Sequence, residues 1–175
     1  MVETPHTDRN RPQTSGTSVL PVRKLYVVRH ADAGHRGSQQ EPDEQRSLSK
    51  RGQRQADGLG QQLAGEGITR LLASPSLRCQ QTLAPLGLHL GVEVEVDERL
   101  GEGQGADGAL AMAGEVSGTD AALCSHGDVI PDLLDALMAQ GCRLKDELRW
   151  QKASTWVLSW DGDRLVKGRY LSPPT

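Results

Sequence analysis

Leu25-Tyr26-Val27-Val28 is an unbroken apolar run that stops abruptly at Arg29-His30. Two valines and a tyrosine without polar alternation suit a strand buried on both faces, the condition of a parallel sheet covered by helices. In open sheets of that kind, ligands bind beyond the carboxyl ends of the strands. The charged pair falls at that edge, where His30 can serve as a base, a ligand or a nucleophile.

The pattern recurs along the chain. Residues 69–73 form a short apolar run that ends at Ser74-Pro75-Ser76-Leu77-Arg78, and Ala121-Ala122-Leu123-Cys124 ends at Ser125-His126-Gly127. Between these runs lie helical spacings. Ala56, Leu59, Gly60, Leu63 and Ala64 share one face, with Gly65 and Gly67 as a stop. Ile130, Leu133, Leu134, Leu137 and Met138 share another, with Pro131 in the first turn. Ser74 reads as an N-cap with Pro75 at the first helical position, and Pro85 predicts a helix end near Ala84. Residues 92–96 alternate Val and Glu as an edge strand does, and 109–116 form a short helix. Segments 154–160 and 165–170 around Asp161-Gly162-Asp163 have hairpin chemistry. Strands alternating with helices predict an α/β fold, three-layered, with a mainly parallel central sheet and helices on both faces.

Composition narrows the function. The 175 residues carry a net charge of -3 with both signs interspersed, which gives a nucleic-acid polymer no electrostatic footprint, so any anion site is local. Three cysteines without CxxC spacing argue against a disulfide framework or a zinc knuckle. No run reaches the ~18 apolar residues of a membrane span, and the N-terminus has no apolar signal core, so we expect a cytoplasmic protein without membrane contact. Residues 1–21 mix proline with polar residues and are expected to be a disordered tail before one domain spanning 22–175.

Arg29, His30, Arg78 and His126 thus converge at neighbouring strand ends. Guanidinium groups pair bidentately with phosphate and stay charged at any working pH, so the cluster suits a phosphate dianion. With arginines where a carboxylate or a third imidazole would stand, and without HExxH spacing, neither a metal nor another cofactor is implied. Arg46, which closes the polar loop 34–46, is a further substrate-binding candidate, and the loop itself has the length of a flap. Lys152 could reach a substrate, although lysines are more often solvated. Cys79 and Cys124 read as core, and His6, His35 and His89 as structural or exposed.

These residues carry a resemblance. Val28-Arg29-His30-Ala31-Asp32-Ala33 resembles the RHG signature of the histidine phosphatase superfamily, in the RHAxA form of the small SixA-type phosphohistidine phosphatases. The stretch from Ser74 to Thr82 resembles that family's SPxxRxxQT block. Leu48 to Ala56 is similar to its LTxxGxxQA helix start, and Cys124-Ser125-His126-Gly127 to its second-histidine motif. All four blocks come in the family's order, and the likeness runs from Lys24 to Tyr170. The closing 153–158 segment resembles phosphatase domains fused to Nudix hydrolases in actinobacteria.

The resemblance implies a phosphoglycerate-mutase-like fold and a covalent mechanism. His30 would attack phosphorus and water would hydrolyse the phosphohistidine. Arg29, Arg78 and His126 would hold the equatorial oxygens, His126 contributing most when protonated. Family members that cleave esters protonate the leaving alkoxide with an acid in an RLxE segment. Arg99-Leu100-Gly101-Glu102 fits, which makes Glu102 the candidate and Glu98 the reserve. SixA-type members can lack that acid, since imidazole leaves readily. The implied substrate is a protein phosphohistidine, with nucleotides or other small phosphate esters as the alternative; a non-catalytic phospho-ligand module is the rival from another class. Two departures stand out: Ala31 replaces the glycine of RHG, so no positive φ is expected there, and the span from Glu102 to Ala121 is too short for a bulky helical lid.

Overall fold

The computed structural model describes residues 21–35 and 42–175. The tail expected over 1–21 lies, but for its last residue, outside the described residues, as does the middle of the 34–46 loop. Seven strands form one sheet: β1 (Lys24–Arg29), β2 (Arg70–Ala73), β3 (Val94–Val96), β4 (Ala121–Ser125), β5 (Arg143–Leu144), β6 (Thr155–Asp161) and β7 (Arg164–Leu171), in the order β3-β2-β4-β1-β6-β7-β5. Pairing is parallel across β3, β2, β4 and β1 and antiparallel where β6 joins β1 and β7. The expected architecture is therefore present, with the hairpin adding an antiparallel half. The two-residue β5, paired parallel to β7, has no sequence signal.

Helices cover both faces. Leu59 and Leu63 of α1 (Lys50–Leu63) and Leu83 and Leu86 of α2 (Leu77–Leu90) bury against Tyr26, Val28, Leu71 and Cys124. On the opposite face Met112 of α3 (Gly105–Glu115) and Leu133 and Leu134 of α4 (Val129–Ala139) bury against Val27, Leu123 and Trp156. The strand residues alternate between the two clusters, as a doubly covered sheet requires. Each fully buried leucine contributes about 1.5–3 kcal/mol relative to exposure.

Two local expectations fail for tertiary reasons. Helix α2 starts two residues later than expected, at Leu77 after Ser76, and Ser74 Oγ divides between the Ser76 N–H (3.3 Å) and His126 Nε2 (2.7 Å). It also runs through Pro85 to a left-handed cap at Gly91 (φ 66°). A proline inside a helix costs about 3 kcal/mol. Here Leu86 and Gly87 beyond it are buried, and Gly60 lets α1 approach closely. A Cβ on Gly60 would come within 3.1 Å of the Leu86 nitrogen. Burial of Leu86 and the close contact with α1 at Gly60 offset the lost hydrogen bond.

Candidate active site

The carboxyl ends of β1, β2 and β4 deliver the cluster to one edge. The backbone beyond β1 is held from three sides. His30 N–H donates to the Ser125 carbonyl (3.1 Å), Ala31 N–H to Thr82 Oγ1 (2.9 Å), and Ala153 N–H to the carbonyls of Arg29 and His30 (3.1 and 3.2 Å). Ala153 is the non-glycine residue with positive φ (63°) among the described residues, strain that fits a position fixed by its neighbours. Ala31 has no positive φ, as expected.

The His30 ring is 6% exposed and donates from Nδ1 to the Ala31 carbonyl oxygen at 2.8 Å. That bond leaves the lone pair on Nε2. Burial pushes the His30 pKa down to about 3; the Ala31 bond opposes this, while His126, Arg78 and Arg29 add to it. His30 is accordingly neutral at neutral pH.

Arg78, 1% exposed, is enclosed by acceptors. Its Nη1 donates to the Asp43 carbonyl (2.8 Å). Nη2 faces Asp43 Oδ2 (3.1 Å), Glu102 Oε2 (3.2 Å) and His126 Nδ1 (3.3 Å). A guanidinium has only donors, so His126 Nδ1 accepts and the ring proton sits on Nε2, from which it donates to Ser74 Oγ (2.7 Å). This arrangement assigns His126 the Nε2–H tautomer. Its ring centroid lies 5.3 Å from that of His30.

Arg29 donates from Nη1 to the Trp150 carbonyl (2.8 Å), and burial lowers its pKa against the opposing charge of Asp128. Its guanidinium lies flat against Gly127, where a Cβ would fall 2.8 Å from Cζ. The buried Nε atoms of Arg29 and Arg78 have no partner among the described residues.

Glu102 is carried by the loop after β3. Ser125 Oγ donates to the Leu100 carbonyl (2.7 Å), and Gly103 N–H donates to Asp128 Oδ2 (2.8 Å), which ties that loop to the end of β4 and the start of α4. Glu98 and Glu102 line one cavity of about 440 Å³ with Asp43, Glu44 and Asp128, and Ser74 lies in its wall. The structure thus brings Arg29, His30, Arg78, His126 and Glu102 together. Among the described residues Arg46 meets them through Asp43, donating from Nε to Asp43 Oδ1 (2.9 Å), and it also donates from Nη1 to the Ala33 carbonyl (2.9 Å). Lys152 donates to Asp32 Oδ1 (2.7 Å), two residues past His30.

Several positions did not declare themselves in the sequence. Ser74 orients His126, and Cys79 Sγ lies 3.6 Å from the same ring. Gln55 Oε1 accepts from Asp32 N–H and Gln81 Oε1 from Leu48 N–H, so the glutamines of the two blocks hold the loops on either side of the cluster. Gly52 is required because a Cβ there would overlap the Asp32 carbonyl oxygen. The signal for each was its place within a motif block; its role needed the fold. Among the described residues, no group of three His, Cys, Asp or Glu side chains is arranged to hold a metal, and no helix is long and apolar enough to cross a membrane.

The model of the histidine phosphatase superfamily (branch 1) matches residues 25–108. An 8-oxo-(d)GTP phosphatase of Mycolicibacterium smegmatis is 36% identical over 160 residues, 89% of this chain and 50% of the relative. The chain therefore spans about half the length of that relative. Among solved structures, a candidate SixA phosphohistidine phosphatase of Nakamurella multipartitia superposes with a TM-score of 0.70 at 24% identity, covering 88% of this chain and 98% of that one. The histidine phosphatase SixA complexed with tungstate gives 0.68 at 20% identity, with 87% and 96% covered. The mycobacterial glucosyl-3-phosphoglycerate phosphatase gives 0.60 at 20%, with 89% and 100% covered. These structural likenesses establish a shared fold.

Proposed function

The chain belongs to the histidine phosphatase superfamily, and on that premise we propose that it hydrolyses phosphoryl groups through a covalent intermediate on His30. The observation that carries this reading is the His30 ring itself. It is neutral, fixed through Nδ1 to the Ala31 carbonyl, and surrounded by Arg29, Arg78 and His126. A nucleophilic imidazole needs that state, with one nitrogen free.

In the first step Nε2 forms a bond to phosphorus as the bond to the leaving atom breaks on the opposite side. Arg29 and Arg78 neutralise the equatorial oxygens, and positioning with charge stabilisation supplies most of the rate. The entering dianion replaces the carboxylates that now face Arg78. A proton taken from solvent at Nδ1, the atom that now accepts from Arg78, makes His126 a donor to the phosphate. In the second step a water oxygen bonds to phosphorus, the N–P bond breaks, and neutral His30 and inorganic phosphate are released. Arg46 supports the site by holding Asp43 and the loop after His30, and contributes to substrate binding through that loop.

The substrate class we favour is a protein phosphohistidine. Glu44, Glu98 and Asp128 stand around Asp43 and Glu102 at the cavity beside Arg78, a rim that opposes the several negative charges of a nucleoside polyphosphate. From a phosphohistidine protonated on its other ring nitrogen the imidazole leaves as a neutral group, so no enzyme acid has to protonate it in the step. The second reading, a nucleotide or other small phosphate ester, is favoured by Glu102 itself, which stands 3.2 Å from Arg78 at the edge of the cluster, where its acid form would give its proton to the leaving alkoxide and become the carboxylate. The relative named for 8-oxo-(d)GTP also supports it.

Phosphate release from a phosphohistidine protein and from nucleotides, by wild type and Glu102→Gln, separates the two. Phosphohistidine turnover at least tenfold above nucleotide turnover, unchanged within threefold in Glu102→Gln, supports the first reading. Nucleotide turnover that leads and falls a hundredfold or more in the variant overturns it in favour of the second.

A further inference from the structure

A second cavity, of about 670 Å³, opens beside Asp32 and shares no lining residue with the acidic one. Its cations are Arg51 and Arg54, three residues apart near the start of α1, and Lys152. The first turns of a helix add positive potential of their own. Asp32 supplies the only carboxylate side chain among the described lining residues, and Lys152 already neutralises it at 2.7 Å. The Lys152 and Ser49 hydrogen bonds hold the Asp32 carboxyl far below the usual carboxylate range, so it stays charged and paired. Arg51 and Arg54 have no ion-pair partner among the described residues.

The far wall is formed by the 173–175 segment. Pro174 rests on α1 at Gly58, where a Cβ would come within 2.7 Å of the Pro174 Cβ. Gly58 therefore lets the chain lie against the same helical face that carries Arg51 and Arg54. The result is a walled recess with two guanidinium groups that have no ion-pair partner among the described residues, and two proline rings.

We propose that this recess is a second anion site, which takes phosphate or a phosphate-bearing small molecule independently of the reacting phosphoryl group. Arg51 and Arg54 present planar donor forks to the oxygens, and Lys152 adds a point charge shared with Asp32. The proline wall accepts the organic part of a ligand. Because the arginines are exposed, the affinity is modest and falls as salt is raised. The proposal does not depend on which substrate His30 receives.

Equilibrium dialysis of the full chain against radiolabelled inorganic phosphate at low ionic strength tests it. Arg51→Gln/Arg54→Gln removes both forks at exposed positions, and an unchanged melting temperature verifies its fold. The double variant binds one equivalent fewer than wild type, while Arg51→Lys/Arg54→Lys keeps that equivalent with at least threefold weaker affinity. The same number of equivalents in wild type and the glutamine variant overturns the site. If the His30 cluster bound no phosphate at all, wild type would bind one equivalent and the glutamine variant none, so failure at one site is distinguishable from failure at the other.

Discussion

His30 and Ala31 are joined by a hydrogen bond from the ring Nδ1–H to the adjacent carbonyl oxygen, 2.8 Å long, at a ring that is 6% exposed. That contact decides which nitrogen can bond to phosphorus. Burial decides that the nitrogen is unprotonated. A pH effect, a packing effect and a positioning effect follow from the neighbours of this ring.

The His30 pKa falls from the ordinary 6.5 to about 3 on folding, chiefly through burial. Between those values the unfolded chain binds the proton and the native one does not, so stability rises with pH across that interval and is lost as pH falls through it. His30→Asn removes this titration and leaves the carboxylates unchanged. Relative to that variant, wild type should lose on the order of 3 kcal/mol between pH 7 and pH 4, as read from urea unfolding of both proteins. Parallel pH profiles would contradict the assignment.

Gly127→Ala would place a methyl 2.8 Å from the Arg29 Cζ. The obstacle is the end of a long side chain rather than backbone, so the guanidinium can swing aside and the fold survives. Stability should fall by less than ~2 kcal/mol, while kcat/KM falls by roughly ten- to a hundredfold because a phosphate clamp has moved. Thermal melts and steady-state kinetics with an aryl phosphate give the two numbers.

Ser74→Ala removes the oxygen that accepts from His126 Nε2–H at 2.7 Å. With a buried donor left unsatisfied, the variant should lose about 1–3 kcal/mol of stability. It should also lose the fixed Nε2–H tautomer of His126, visible in ¹⁵N spectra of the ring, with kcat falling more than KM rises. A ring spectrum identical to wild type would deny Ser74 its positioning role.

What the sequence disclosed follows from how local each cause is. β1, the apolar face of α1, and the hairpin around Gly162 are written in residue periodicity and turn chemistry, which act within a few positions. The convergence of Arg29, His30, Arg78 and His126 was legible because parallel strands end at a common edge. The course of α2 through Pro85 was not, since it is set by Gly60 on another helix. Nor was the tautomer of His126, which depends on a guanidinium that reaches it from 48 positions away in the chain. Ser74 looked like a helix cap because serine favours the N-cap and proline the first helical position, and the imidazole from β4's end shares the oxygen with the Ser76 N–H.

The central claim is that His30 Nε2 becomes bonded to phosphorus. Rapid quenching of the protein with ³²P-labelled aryl phosphate into alkali, followed by peptide mapping, tests it directly. The label should sit on His30, survive alkali, be lost in acid, and be absent from His30→Ala. Full turnover by His30→Ala, or an acid-stable label on another residue, would contradict it.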